Sequence, residues 1–209
     1  MKRVFITILM VAFVANVFAQ RTWFEFEISK DLTKKLELSF APEIRFKEKF
    51  ELNEYLFQPG LEYKFSDYFS LGGKYRLGNN LKNNGDSQWY GRFAFDAKTN
   101  YEWEKLETQL RLRYTNSDDF SDDDNNKTNY LRVRLKMEYA LKKLALKPYA
   151  AYEIYRDMDD SEFDKGRWEA GLEYKINKHH RIGTYFRIND YFSDKESVKI
   201  LGFTYKLTL

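Results

Sequence analysis

The sequence predicts an all-β fold, a transmembrane antiparallel up-and-down β-barrel of about 10 to 12 strands, and three observations carry that prediction. Residues 36–47 read Leu-Glu-Leu-Ser-Phe-Ala-Pro-Glu-Ile-Arg-Phe-Lys, with apolar and polar side chains alternating, and the same beat returns in nearly every later segment. The last eight residues, from Gly202 to Leu209, keep apolar side chains at every second position. Between the alternating segments, tight connections take turns with long polar ones. Successive side chains of a strand point to opposite faces, so strands that are apolar on one side and charged on the other suit a closed sheet whose outside meets lipid.

In chain order, the first element is an export signal. Lys2 and Arg3 precede an apolar run from Val4 to Val14, and Val17-Phe18-Ala19 offers small residues for a signal peptidase. Residues 1–19 are therefore expected to be a cleaved signal peptide, with a mature barrel domain over 20–209. The apolar run is too short for a spanning helix, which needs about 20 residues. No cysteine follows the cut to accept a lipid.

Composition agrees with this placement. Removing residues 1–19 takes two basic and no acidic residues from totals of 35 and 32, which leaves a net charge of +1 and no field to attract nucleic acid. The absence of cysteine excludes disulfides, thiol catalysis and thiolate metal sites. Aromatic residues make up 18% of the chain and charged residues 32%, with a mean hydropathy of -0.69. A soluble core rarely combines those values, whereas a barrel with a polar lumen, a half-apolar wall and aromatic belts does so naturally.

Eleven alternating segments follow the signal, at residues 23–29, 35–47, 51–65, 69–77, 87–103, 106–116, 129–140, 144–156, 167–176, 181–191 and 197–209. Most exceed the roughly 9 to 11 residues that a tilted strand needs to cross a bilayer. The connections at 66–68, 104–105, 141–143 and 177–180 are tight, and those at 78–86, 117–127 and 157–166 are long and rich in Asn, Asp and Gly. That asymmetry places the long loops outward and the turns at the periplasmic side. Single-chain bacterial barrels usually have an even number of strands, so either 23–29 is not a full wall strand or a strand is missing from the count. One hairpin recurs: Leu61-Glu62-Tyr63-Lys64, a turn and Leu71-Gly72 match Leu172-Glu173-Tyr174-Lys175, a turn and Ile182-Gly183 at identical spacing.

Parity sorts the faces. Leu131, Val133, Leu135, Met137 and Tyr139 go outward and Arg132, Arg134, Lys136 and Glu138 inward, while Leu110 and Leu112 leave Arg111 and Arg113 inside. Glu37, Glu43, Glu54, Glu62, Glu153, Glu169 and Glu173 supply inward acids. A basic side chain turned to mid-membrane lipid costs about 2 to 4 kcal/mol, so insertion demands this sorting. The expected lumen charge network is Arg111, Arg113, Arg132, Arg134, Lys136, Glu37, Glu43, Glu62, Glu138, Glu153, Glu169 and Glu173. Two readings stand: an interior filled by ion pairs, which the narrow diameter favours, or a narrow channel in which Arg111, Arg113, Arg132 and Arg134 meet an anionic solute.

The terminal strand is similar to the insertion signal of bacterial outer-membrane barrels, in which a Gly is followed by apolar residues three and five positions on, here Tyr205 and Leu207; the chain ends in Leu209 where Phe is usual. Together with the opening Trp23-Phe24-Glu25-Phe26-Glu27-Ile28-Ser29-Lys30-Asp31-Leu32 and the Leu-Glu-Tyr-Lys segments, it resembles the uncharacterised outer-membrane β-barrel family of Bacteroidetes-type bacteria known as domain of unknown function 2490. The resemblance implies a fold and an outer-membrane location and carries no activity to any residue.

A serine hydrolase needs a positioned base, most often histidine, and only His179 and His180 exist, side by side in a tight turn. No catalytic, cofactor-binding or metal residues are assigned. The acidic runs 117–124 and 157–164 match no EF-hand, so solvated loops are expected, with surface glycans or divalent ions as the partners they would meet. The four tryptophans read as interface anchors, Trp103 near a turn and Trp89 and Trp168 near long loops. The expected function is an outer-membrane barrel with a structural or passive solute-transport role, porin-like and non-enzymatic, without cofactors. Its partners are membrane lipid and the outer-membrane assembly machinery, not nucleic acid. The alternatives are an outer-membrane hydrolase of envelope lipid and a soluble periplasmic barrel holding an apolar ligand.

Overall fold

The structure, a computed structural model, describes residues 19–82, 85–120 and 127–209. The expected signal peptide lies outside the described residues apart from Ala19, as does the 121–124 part of the first acidic run.

Alternation produces strands throughout: β1 (Arg21–Asp31), β2 (Leu36–Phe40), β3 (Glu43–Phe46), β4 (Leu52–Phe57), β5 (Pro59–Lys64), β6 (Phe69–Leu81), β7 (Ser87–Trp103), β8 (Leu106–Asp118), β9 (Thr128–Tyr139), β10 (Leu146–Asp157), β11 (Phe163–Lys175), β12 (His180–Tyr191) and β13 (Val198–Thr208). Two wall strands are broken in the middle. β2 and β3 are halves of one strand parted at Ala41-Pro42, and β4 and β5 are halves of the next, parted at Gln58 before Pro59. Proline has no N–H for a ladder, so pairing lapses there. The two gaps are still stitched together by Phe26 N–H to Pro42 O at 2.9 Å and Ala41 N–H to Gln58 O at 2.9 Å.

Counting each broken strand once, the barrel has 11 wall strands, and every expected segment, 23–29 included, is a full one. The odd number has a geometric consequence. In an up-and-down series the first and last strands then run the same way, so β1 and β13 close the barrel in parallel, from Arg21 opposite Ile200 to Ser29 opposite Thr208. All the other pairings in the described sheet are antiparallel, as expected. Parallel pairs are slightly weaker per residue, and this seam has added support. Phe24 stacks on Phe203 at 5.3 Å, Phe26 approaches Tyr205 at 6.4 Å, and Gln20 exchanges hydrogen bonds with Lys199 at 3.0 and 2.9 Å.

The connections alternate between the rims. Turns at 32–35, 65–68, 104–105, 140–145 and 176–179 lie at one end, and the described residues of the other connections, at 47–51, 82, 85–86, 119–120, 127, 158–162 and 192–197, at the other. β1 starts at the loop rim and β13 finishes at the turn rim.

The faces follow parity. Val133 and Leu135 are 40% and 46% exposed on the outer surface, whereas Arg132 and Glu153 are 6% and 2% exposed inside. Among the described residues, more of the buried side chains are polar or charged than apolar. Inward tyrosines use the space left by glycine: the ring of Tyr185 lies on Gly202 across the β12–β13 pair and that of Tyr90 on Gly78 across β6–β7, and a Cβ at either glycine would strike the ring. The glycine of the terminal strand therefore has a packing reason.

Candidate functional site: the charged interior

Residues of β1, β3 and β6 to β13 converge on a lumen cavity of about 440 Å³, lined by arginine, lysine, glutamate and tyrosine far more than by apolar groups. Removing a charge from water costs several kcal/mol unless a partner compensates it. How each inward charge is met therefore decides what the site can do.

On the β8–β12 wall, register sets Arg111 opposite Arg134 and Arg113 opposite Arg132, yet each of these arginines has a carboxylate partner, and only Nε of Arg111 among their described atoms is buried without a hydrogen bond. Glu153 of β10 accepts hydrogen bonds from Arg132 at 3.1 and 3.0 Å and from Arg111 at 2.8 Å, and Arg167 stands 3.6 Å away. Tyr155 accepts from Arg132 at 2.7 Å and donates to Glu153 at 3.1 Å, while the guanidinium of Arg132 lies 4.4 Å from its ring centroid. Glu169 of β11 receives Arg134 and Arg187, both at 2.7 Å. Register puts Glu153 opposite Arg167 and Glu169 opposite Arg187, while Arg132 reaches Glu153 on the diagonal and Arg134 reaches Glu169 across β10. Charge-assisted, multiply bonded pairs of this kind are the strong ones.

Other parts of the expected network pair more locally. Arg113 binds both oxygens of Asp96, and Glu43 and Glu54 grip Arg45 at 2.6 and 2.7 Å. Nearer the turn rim, Glu62 holds Lys98 and Ser70, Lys136 holds Glu138 at 2.8 Å, Glu173 faces Lys206 at 3.3 Å, and Glu37 stands 3.7 Å from Lys64 in a half-exposed position. The structure thus brings Arg111, Arg132 and Glu153 together, and Arg134 with Glu169, while Glu37, Glu62 and Glu138 lie outside the cavity lining. Sequence reasoning missed Arg45, Asp96 and Arg187. Phe93 and Phe95 facing outward were the signal for Asp96, since they put residues 92, 94, 96 and 98 inside.

The β6–β7 wall differs. Arg76 and Arg92 are direct cross-strand partners, two cations side by side. Arg76 donates to Gln58 at 3.0 Å and reaches Glu43 only at 3.7 Å. Arg92 and Lys74 have no ion pair or hydrogen bond to another side chain among the described residues, and both line the cavity.

Trp23 also departs from expectation. It is buried inside the barrel, with Arg45 at 3.9 Å and Arg187 at 5.0 Å over its ring, so only Trp89, Trp103 and Trp168 sit exposed on the outside. The reason is parity: Trp23 shares the inward row of Glu25 and Glu27. His179 meets Thr208 O at 2.7 Å and His180 meets the Tyr205 hydroxyl at 2.7 Å, so the two imidazoles tie the turn and the start of β12 to the last strand. In the second acidic run, Asp159 accepts from Asn129 N–H at 3.0 Å and from its side chain at 2.9 Å, and Asp157 accepts from Asp159 N–H at 2.9 Å. No cluster of three or more acidic or histidine side chains able to hold a metal occurs among the described residues.

The model of a family described as protein of unknown function, DUF2490, matches residues 20–197. No curated protein matches the chain. Among solved structures, the chain is similar to the β domain of the Bordetella autotransporter Brka, with 12% identity, coverage of 80% of this chain and 78% of that one, and a TM-score of 0.45.

Proposed function

The chain belongs to the DUF2490 family of proteins of unknown function, and we propose that it is an integral outer-membrane β-barrel with a structural or passive solute-transport role. The observation that carries this reading is the inversion of the usual burial pattern. Val133, Leu135, Met137, Leu110, Leu112, Phe93 and Phe95 form exposed apolar rows on the outer wall, while arginine and glutamate fill the inside. In water such an exterior would be an aggregation liability; in hydrocarbon it is the required solvent-facing surface. Closure through the β1–β13 seam leaves no open edge in the described sheet, and a bilayer does not tolerate such an edge. Tyr101 and Trp103 beside the 104–105 turn, and Trp89 and Trp168 on the outer face, are suited to membrane interfaces.

Residues 1–19 act as the cleaved export signal in this reading, and Gln20, the first mature residue, is already bonded to the wall at Lys199. The terminal strand serves as the recognition element for the assembly machinery. The lumen is largely filled by ion pairs around a cavity of about 440 Å³. Membrane fractionation with a heat-dependent gel shift tests the location: an outer-membrane fraction and a shift on boiling are expected, and a soluble, unshifted protein would overturn the reading. Small or undetectable single-channel conductance in planar bilayers is expected for this filled interior, and a large, stable open current would replace the structural role with that of an open pore.

A further inference from the structure

The β6–β7 wall carries positive charge that the protein compensates only in part, through the 3.7 Å contact of Arg76 with Glu43. Arg92 faces Arg76 directly, and like charges in direct opposition destabilise a sheet pair. Neighbouring acids are already committed: Glu43 and Glu54 to Arg45, Glu153 to Arg132 and Arg111, Asp96 to Arg113. Lys74, two residues before Arg76 on the same inward row, lacks a partner as well. The guanidinium of Arg92 opens on the cavity, whose volume of about 440 Å³ accommodates a small polyatomic ion with its water.

Resting on the barrel reading above, we propose that Lys74, Arg76 and Arg92 form a lumen binding site for a phosphate-class oxyanion. Each planar guanidinium presents parallel N–H donors that match two oxygens of a tetrahedral anion, and two of them side by side on adjacent strands supply the charge a dianion requires. Lys74 adds a mobile ammonium at one flank. The arginines suggested by sequence parity, Arg111, Arg113, Arg132 and Arg134, are each held by an acid and are not the binding groups.

The test uses the whole mature barrel in detergent, titrated with inorganic phosphate or glycerol phosphate by calorimetry and by thermal shift. Phosphate is expected to bind and to raise the unfolding temperature; Arg92→Met is expected to weaken affinity by about tenfold or more and, by removing an unmet charge, to raise the unfolding temperature of the ligand-free barrel. Lys195→Gln, in a loop at the rim, should bind as the parent does. Binding of inorganic phosphate identifies the free ion as the ligand, and binding of glycerol phosphate alone identifies a phosphorylated solute. No binding of either, unchanged affinity in Arg92→Met, or a lower ligand-free unfolding temperature in that variant would each overturn the site. The heat-dependent gel shift is unaffected by failure of the site and is lost only if the barrel reading fails.

Discussion

The β9–β11 wall and the β6–β7 wall obey the same alternation, and both turn arginines inward, but they treat them oppositely. In the first, each guanidinium reaches a carboxylate, Arg167 beside its cross-strand partner Glu153, Arg132 on the diagonal to Glu153 and Arg134 across β10 to Glu169. In the second, register delivers Arg92 to Arg76. Two-residue periodicity decides which side chains enter a lumen. The stagger of neighbouring strands decides whether they arrive as a closed set of ion pairs or as an unfilled receptor.

The largest expected effect comes from breaking the closed side. Glu153→Ala strands Arg132 and Arg111 without their shared acceptor and is expected to cost about 3 to 5 kcal/mol, read from unfolding in detergent. A loss below 1 kcal/mol would mean that lumen water solvates these groups and that the two walls do not differ. Replacing Gly202 by Val drives a side chain into the Tyr185 ring and should cost at least about 1 to 3 kcal/mol by the same assay, with the hydrogen bond from Tyr185 to Glu25 lost.

A finer separation comes from the double variant Glu153→Leu with Arg132→Met. Replacing both partners of a buried pair by apolar residues is often close to neutral, so the double variant should lose clearly less stability than Glu153→Ala. If it loses as much, the pair stabilises the wall beyond mutual compensation. On the open side the sign reverses. Arg92→Met should gain roughly 0.5 to 1 kcal/mol by relieving the opposition to Arg76. The smallest effect is that of salt: screening should stabilise the parent slightly and leave Arg92→Met almost unchanged, as thermal melts across a sodium chloride series would show.

Most of the fold was legible because residues 131–139 alternate without exception and so fix both the strand and its two faces. The count of eleven segments already contained the parallel closure, since an odd up-and-down series admits no other. The breaks at Pro42 and Pro59 were hidden inside long segments whose alternation continues past them. The site was legible by half. Parity brought Arg111, Arg132 and Glu153 to the interior, but Arg111 and Glu153 lie 42 residues apart, and only the stagger accumulated across β8, β9 and β10 makes them touch. Arg92 was obscured because Gly91, Ala94 and Ala97 dilute the pattern of β7. Trp23 was misplaced because its residue type argued for an interface more loudly than its row argued for the lumen.

The same-direction seam has a topological cost for anyone who would rewire this molecule. In a barrel of even count, the start of the first strand and the finish of the last share a rim, and a few residues can join them for circular permutation. Here those points stand at opposite rims, separated by strands of 11 residues, or roughly 35 Å along the chain direction. A permutant would need a connector of roughly 10 or more extended residues, threaded through the occupied bore or laid across the greasy exterior.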